Sequence, residues 1–352
     1  MSDRVIKLVD KLVCNRSLSL SEYETLIRER TTRAAELLRV HALKERHRHY
    51  GKGVFVRGLI EISNICKNDC LYCGIRRGNR DADRYRLTED EILECCHEGY
   101  SLGLRTFVLQ GGEDAYFTDE VLCGIIRAVK RDCPDAAVTL SLGERSYESY
   151  KALKEAGADR YLLRHETACP RHYARLHPDS MSYENRMRCL YDLKSLGFQT
   201  GAGFMVGSPY QTERELALDL KFIEEFKPEM CGIGPFIPHK SSVFASHPAG
   251  SAELTCYLLS IIRIICPTVL LPATTALGTL SEDGRERGIL SGANVVMPNL
   301  SPRSVRAKYE LYEGKLHSGA ESADALSELE ERFSRIGYRI EYARGDAIKN
   351  NL

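Results

Sequence analysis

The sequence predicts an α/β fold, a (β/α)8 barrel of the TIM type with N-terminal helices and a short C-terminal helical tail. Three observations lead there. Short β-rich runs and amphipathic helical segments alternate eight times with no composition break between them. The chain length of 352 residues, with 43% hydrophobic, suits one closed barrel with flanking helices better than an open doubly wound sheet. Polar, glycine-rich or charged residues also recur at the C-terminal end of run after run, where a parallel barrel gathers its functional groups at one mouth.

Each element can be justified in chain order. Residues 2–13 and 19–47 read as two helices flanking the barrel, within an N-terminal segment 1–50. The barrel itself spans 51–316. Its strand candidates are VFVRGLIEIS, TFVLQGGE, AVTLSLGE, RYLLRHET, QTGAGFMVG, MCGIGPFIP, TVLLPATTALG and NVVMPNL. Thr88 with Glu91, and Thr212 with Glu215, form T-x-x-E capping boxes that open two of the intervening helices. Gly103, Gly157 and Gly197 stand where helices should end. Residues 317–352 read as a polar helix and tail belonging to the same domain.

Composition excludes several classes of function. Forty-nine basic residues balance 49 acidic ones, so nothing asks for nucleic acid or an anionic membrane. The pairs Arg76-Arg77 and the run Arg46–His49 read as solvated faces. The most apolar stretch, LLSIIRIICPTVLL, is broken by Arg263 and Pro267 and suits a buried helix followed by a strand. No secretory signal is visible, and 13 cysteines without one point to a reducing cytoplasm. Cys95, Cys96, Cys123, Cys189, Cys231 and Cys256 fall in apolar periodic contexts, as buried thiols do.

Cys66, Cys70 and Cys73 differ. They follow the first strand as C-x3-C-x2-C, close enough for three sulfurs to converge on one inorganic body. Structural zinc normally takes four protein ligands. Three thiolates on a [4Fe–4S] cluster instead leave one iron open to an exchangeable ligand. His97 is a conceivable fourth ligand, but it belongs to the next helix.

This motif, with Tyr72 just before the last cysteine, resembles the radical S-adenosylmethionine (SAM) superfamily. The resemblance implies one [4Fe–4S] cluster on the three cysteines and SAM chelated by the open iron. It further implies that Gly111, Gly112 and Glu113 of QGGE receive the SAM ammonium. Ser141 and Glu144 would meet the ribose hydroxyls, Arg164 the SAM carboxylate, and Glu166 would join these cofactor contacts. Eight strings, from SNICKNDCLYCGIRR through ADRYLLRHETACP to GANVVMPNLSP, resemble the HydE family of [FeFe]-hydrogenase maturases across residues 50–315. They are more loosely similar to methylornithine synthase and biotin synthase. The HydE resemblance implies a small organometallic or amino-acid-derived substrate, other hydrogenase maturases as partners, and a donor such as ferredoxin or flavodoxin. Candidate substrate-facing residues are Arg145, Thr274, Thr275, Met297, Tyr309 and Tyr312, the two tyrosines on an expected helix, AKYELYEG. Core packing is an equal reading for Met205 and Met297. Some HydE proteins carry an auxiliary cluster on C-terminal cysteines. Here His317 stands at the corresponding place and no cysteine follows Cys266, so no second cluster is expected. The alternatives are a methylornithine synthase-like mutase and a zinc-stapled barrel that only binds a partner.

Overall fold

The computed structural model describes residues 2–317 and 323–348. Three helices come first: α1 (Ser2–Asn15), α2 (Leu20–Arg28) and α3 (Thr32–Tyr50). The expected second helix is thus two, because Thr31 caps a new helix by accepting from Ala34 N. Helix α3 ends at Gly51, φ +58°, and Arg46 bonds the carbonyls of Gly51, Gly53 and Ala293, tying these helices to the barrel.

The barrel begins with β1 (Gly53–Val56), β2 (Gly58–Ser63) and α4 (Glu89–Ser101). Next come β3 (Thr106–Gly111), α5 (Asp119–Asp132), β4 (Ala137–Ser141), α6 (Tyr147–Glu155) and β5 (Arg160–Leu162). Helices α7 (Pro170–Leu176) and α8 (Tyr183–Ser195) lead to β6 (Gln199–Ala202), β7 (Met205–Val206) and α9 (Glu213–Phe226). The chain continues through β8 (Met230–Cys231), β9 (Gly234–Pro235), α10 (Ala252–Ile265), α11 (Thr275–Leu280), α12 (Gly284–Leu290) and β10 (Val295–Val296). Helices α13 (Arg303–Arg306) and α14 (Leu326–Arg335) and strand β11 (Arg339–Glu341) end it.

Strands pair in parallel in the order β2-β3-β4-β5-β6-β8. Bridges Met230–Leu270 and Pro272–Val295 carry the pairing through residues 270–272, and Leu59–Asn299 with Phe55–Val295 returns it to the first strand. The sheet therefore closes, with strands in seven of the eight expected runs and only the isolated bridges of Leu270 and Pro272 in the other, TVLLPATTALG. Both expected capping boxes form, at Thr88 and Thr212. The six cysteines read as buried thiols are buried.

Two expectations fail locally. Residues 307–312 are not helical: α13 is one short turn and the chain then runs through turns and bends, so Tyr309 and Tyr312 share no helical face. After α14 the tail forms β11, which pairs in parallel with β1 through Val54–Ile340. A three-residue strand with one buried side chain carries almost no periodic signal.

Candidate functional site

The loop from Asn64 to Arg86 carries the three cysteines and is held by polar anchors independent of them. Arg84 donates to the carbonyls of Asn64, Ile75, Arg76 and Asn79. Asp69 takes Arg76 bidentately at 2.6 and 2.9 Å and also accepts from Gly78 N. Asp114 takes Arg86 bidentately and accepts from Ser63 Oγ at 2.7 Å. Leu71 N bonds Leu176 O and Val243 N bonds Leu71 O, so the loop lies against the segments following β5 and β9.

Backbone fits closely around Cys66. Glu113 N donates to Cys66 Sγ at 3.4 Å. A Cβ on Gly112 would stand 2.2 Å from Ile65 O and 2.8 Å from Cys66 Cβ, so only glycine fits there. Burial pushes all three thiols up: Cys66, Cys70 strongly, and Cys73 to about 12. Tyr72 O–H donates to His177 Nε2 at 3.3 Å, while His177 Nδ1–H donates to Tyr173 O at 3.0 Å. Both ring nitrogens are thus used in a neutral imidazole. Burial, then Arg186, holds His177 down at about 3.

Among the described residues, no three-ligand group that includes these cysteines has its ligand atoms within 4.8 Å of one another. Tetrahedral zinc, with Zn–S near 2.3 Å, would need sulfurs within about 3.8 Å of one another. This spread suits a larger multi-iron body, so the donor set and its glycine cradle fit the implied cluster. The group that does gather is His239, Glu310 and Glu313. There His239 Nδ1 accepts from Ser241 N, which leaves the proton on Nε2, facing Glu310 at 3.4 Å. That nitrogen offers no lone pair to a metal.

Strand alternation fixes the inner face of the barrel. Val108, Thr139, Leu162, Pro272 and Met297 line a small central cavity with Arg57 and Met230. Two residues further along each strand come Gln110, Ser141, Arg164, Thr274 and Asn299, and Glu61 joins them from β2. These residues form the mouth's floor. Several buried polar atoms here have no hydrogen-bond partner: Arg164 Nε and Nη2, Glu166 Oε2 and Thr274 Oγ1. Arg164 Nη2 stands 3.0 Å from Glu166 Oε2 but without hydrogen-bond geometry. Glu166 also holds φ +64°, a conformation that costs a non-glycine residue free energy and is kept where the site requires it. Such orphaned donors and acceptors are what a ligand would satisfy. Behind them His165, held at about 3 by burial and then Arg164, approaches Asp219 at 3.3 Å.

A second region opens sideways beside Cys66. Glu113, Glu144 and Arg145 line a cleft of about 410 Å³ with Lys67, Asp119 and Leu142. Glu113 pairs with Lys67 at 3.2 Å and accepts from Glu144 N. Its side chain fills the space a Cβ on Gly143 would take, 2.1 Å away. Glu144 takes Asn185 and Arg186, each at 2.6 Å. Arg186 also donates to Arg164 O, and despite its burial the Tyr173 and Glu144 neighbours raise its pKa.

The structure thus brings together Tyr72, Gly111, Gly112, Glu113, Ser141, Glu144, Arg164 and Glu166 around the cysteine loop. Thr274, Met297 and Tyr309 face the barrel interior. Thr275 opens α11 and its hydroxyl accepts from Arg285. Arg145 is not with them: it donates to Asp119 and to Phe117 O in the lateral cleft. Tyr312 is half-buried on the irregular segment after α13. Met205 packs with Leu176, Phe236 and Phe244 against Leu71 and Tyr72. His97 is far from the thiols' loop in role, exposed on α4 and bonded to Asp132.

Three participants escape sequence reasoning. Arg186 and His177 sit in or beside ordinary helical runs with no motif of their own. Lys315 reaches into the barrel and donates to the fully buried Glu61 at 2.7 Å, beneath the ring of Tyr309. A lone glutamate in an apolar strand, GLIEIS, is the signal that could have found this pair.

Comparison with known proteins agrees with this geometry. The sequence profile of the radical SAM superfamily matches residues 60–223. The HydE subunit of [FeFe] hydrogenase maturase from Thermotoga maritima is 48% identical over 271 residues, 77% of each chain. The 3-methylornithine synthase of Methanosarcina barkeri is 26% identical over 86% of this chain and 85% of its own. Among solved structures, methylornithine synthase (PylB) superposes with TM-score 0.82 at 24% identity, covering 95% of this chain and 97% of that one. HydG from Carboxydothermus hydrogenoformans superposes at 0.80 and 21% identity, covering 97% and 80%. These two likenesses concern the fold. A closed parallel barrel with three cysteines on the loop after its first strand, matched by that profile, is a radical SAM enzyme. Within that superfamily the chain belongs to the HydE family, as its motifs had indicated.

Proposed function

We propose that this enzyme cleaves SAM reductively and acts in assembling the diiron cofactor of [FeFe] hydrogenase, as the name of its Thermotoga relative says of that protein. The observation that carries the reading is the trio Cys66, Cys70 and Cys73, which is not gathered as one zinc ion would need, on the loop at a mouth where Arg164, Glu166 and Thr274 leave polar atoms unpartnered among the described residues. Bound there, a [4Fe–4S] cluster supplies the electron that splits SAM into methionine and a 5′-deoxyadenosyl radical.

The chain's own residues bind and orient. Arg164 presents Nε and Nη2 to a carboxylate, and Glu166 an unshared oxygen to an ammonium. Glu144, already holding Arg186 and Asn185, keeps lone pairs for ribose hydroxyls beside Ser141. Thr274 Oγ1, Met297 and Tyr309 face the interior as substrate contacts, with Thr275 beside them. Arg145 and Tyr312 have a weaker geometric claim to that role. The position of His317 and the lack of any cysteine beyond Cys266 support a single cluster. Residues 51–316 form the catalytic barrel, and 1–50 and 317–352 belong to the same domain, as the bonds of Arg46 and the β1–β11 pairing support. The partners would be other hydrogenase maturases, in the cytoplasm; among the described residues no helix is long and apolar enough to cross a membrane.

Anaerobic reconstitution tests the reading. About four irons per chain, a 400 nm absorbance, and SAM cleavage under dithionite are expected, all lost in Cys70→Ala. Colourless protein with stoichiometric zinc would refute it, and methylornithine formed from lysine would reassign the substrate.

A further inference from the structure

Helix α9 carries a carboxyl group into the core. In its run LALDLKFI the other buried side chains are apolar: Leu216, Ala217, Leu220, Phe222 and Ile223. Asp219 is fully buried among them, and its Oδ2 has no hydrogen-bond partner among the described residues. A core carboxyl left half satisfied lowers stability, so its presence asks for a reason other than holding the helix.

The other oxygen supplies that reason. Asp219 Oδ1 accepts from Ala168 N at 2.5 Å and stands 3.3 Å from His165 Nε2, a close polar contact without hydrogen-bond alignment. His165 Nδ1 accepts from Gly203 N at 3.2 Å, which leaves the proton of the neutral ring on Nε2, toward Asp219. Burial drives both groups toward their neutral forms, Asp219 up and His165 down. An acceptor oxygen at this point therefore matters more than a charge.

One atom of α9 thus holds both ends of the stretch His165–Ala168, just beyond β5. Between those ends lies Glu166 at φ +64°, its N–H on Gly203 O at 3.0 Å. His165 turns outward to α9, where its ring packs on Phe222 with centroids 4.6 Å apart. Arg164 and Glu166, on either side of it, present Nε, Nη2 and Oε2 unpartnered at the mouth.

We propose that Asp219 is a positioning residue: through His165 and the Ala168 amide it fixes how Arg164 and Glu166 face the mouth, and so governs recognition of the amino-acid end of SAM. This rests on the function proposed above. Asp219 itself touches no ligand. Released from it, the stretch can relax Glu166 toward an ordinary backbone conformation, and the two inward side chains lose their common orientation.

The test measures equilibrium binding of two probes to the reconstituted holoenzyme. SAM carries the amino and carboxylate groups; methylthioadenosine shares its adenosine and sulfur but lacks both. In Asp219→Ala, SAM affinity is expected to fall about tenfold or more, while methylthioadenosine stays within about twofold of wild type. Iron content should be retained, since the polar anchors of the cysteine loop do not involve Asp219. Asp219→Asn keeps an acceptor for Ala168 N and should restore SAM affinity to within about threefold of wild type. His165→Leu cuts the ring contact alone and should weaken SAM selectively by a smaller factor; it carries the test if Asp219→Ala fails to load iron. Equal losses for both probes would overturn the proposal, since the residue would then hold the barrel at large. So would unchanged SAM affinity in the loaded variants. A wild type that loads iron but binds no SAM would instead sink the function itself.

Discussion

Replacing Lys315 with methionine tests how the barrel mouth is closed. Lys315 Nζ donates to Glu61 Oε1 at 2.7 Å, and Asn299 Nδ2 to Oε2 at 2.8 Å. The Glu61 side chain is fully buried and that of Lys315 is 8% exposed, so solvent does little to screen them. Lys315 ends a strap that is pinned at Lys308 O by Asn64, at Leu311 O by Gly74 N and at Glu313 N by Pro238 O. Lys315→Met leaves a buried carboxylate with a single amide partner, at a cost of about 3–5 kcal/mol. Glu61→Gln alone strands the ammonium and should cost a similar amount. The double variant places two neutral groups of matching size there, with the new amide still able to accept from Asn299, and should lie within about 1 kcal/mol of wild type. Urea unfolding of the cluster-free protein, with the midpoint read at constant m, measures all three. Single variants costing under about 1 kcal/mol, or a double variant costing the sum of the singles, would refute the pairing and with it the fastened strap.

Three further outcomes follow from the geometry. Gly112→Ala should keep the barrel's circular dichroism but load less than half the wild-type iron, because its Cβ meets Ile65 O at 2.2 Å and must push the cysteine loop away. Arg164→Leu should retain the cluster while SAM affinity, measured by equilibrium binding, falls about 30-fold or more, the expected loss when a buried carboxylate loses its cation. His177 is held at about 3, below the usual 6.5 of the unfolded chain. The unfolded state therefore takes up its proton first as pH falls, and stability drains away from about pH 6.5 downward. Between pH 8 and pH 5 this amounts to about 2 kcal/mol. His177→Gln should show a pH dependence shallower by that amount, and superimposable curves would count against the buried neutral ring.

Legibility in the sequence followed how local each signal was. Seven of the eight expected strands, both capping boxes and the C-x3-C-x2-C loop are written in contiguous residues and stand in the structure. Tyr309 faces the barrel interior without the helix that its i, i+3 spacing with Tyr312 predicts, because Asn64 and Gly74 take the carbonyls of Lys308 and Leu311 and the segment runs in turns and bends. Arg145 follows SLGE and so reads as a mouth residue, yet four residues past the end of β4 it turns sideways to Asp119. Arg186, His177 and Lys315 could not be read at all. Each acts on a partner 42, 105 or 254 residues away, and a single sequence carries no record of such pairings.

The distribution of charge around the cysteines also bears on how the site is made ready. Burial, with repulsion from the neighbouring thiols, pushes Cys70 and Cys73 up, so attraction between thiolates and cations contributes little to holding the loop. The nearby guanidiniums are committed elsewhere: Arg84 to four carbonyls, Arg76 to Asp69, Arg86 to Asp114. None of those bonds needs a metal. These contacts hold the loop through groups other than its three thiols, in contrast to small zinc domains whose fold rests on their ion. A loop braced in this way would hold a group bound by the cysteines in a constant position relative to the rest of the mouth, where Arg164 and Glu166 present their polar atoms.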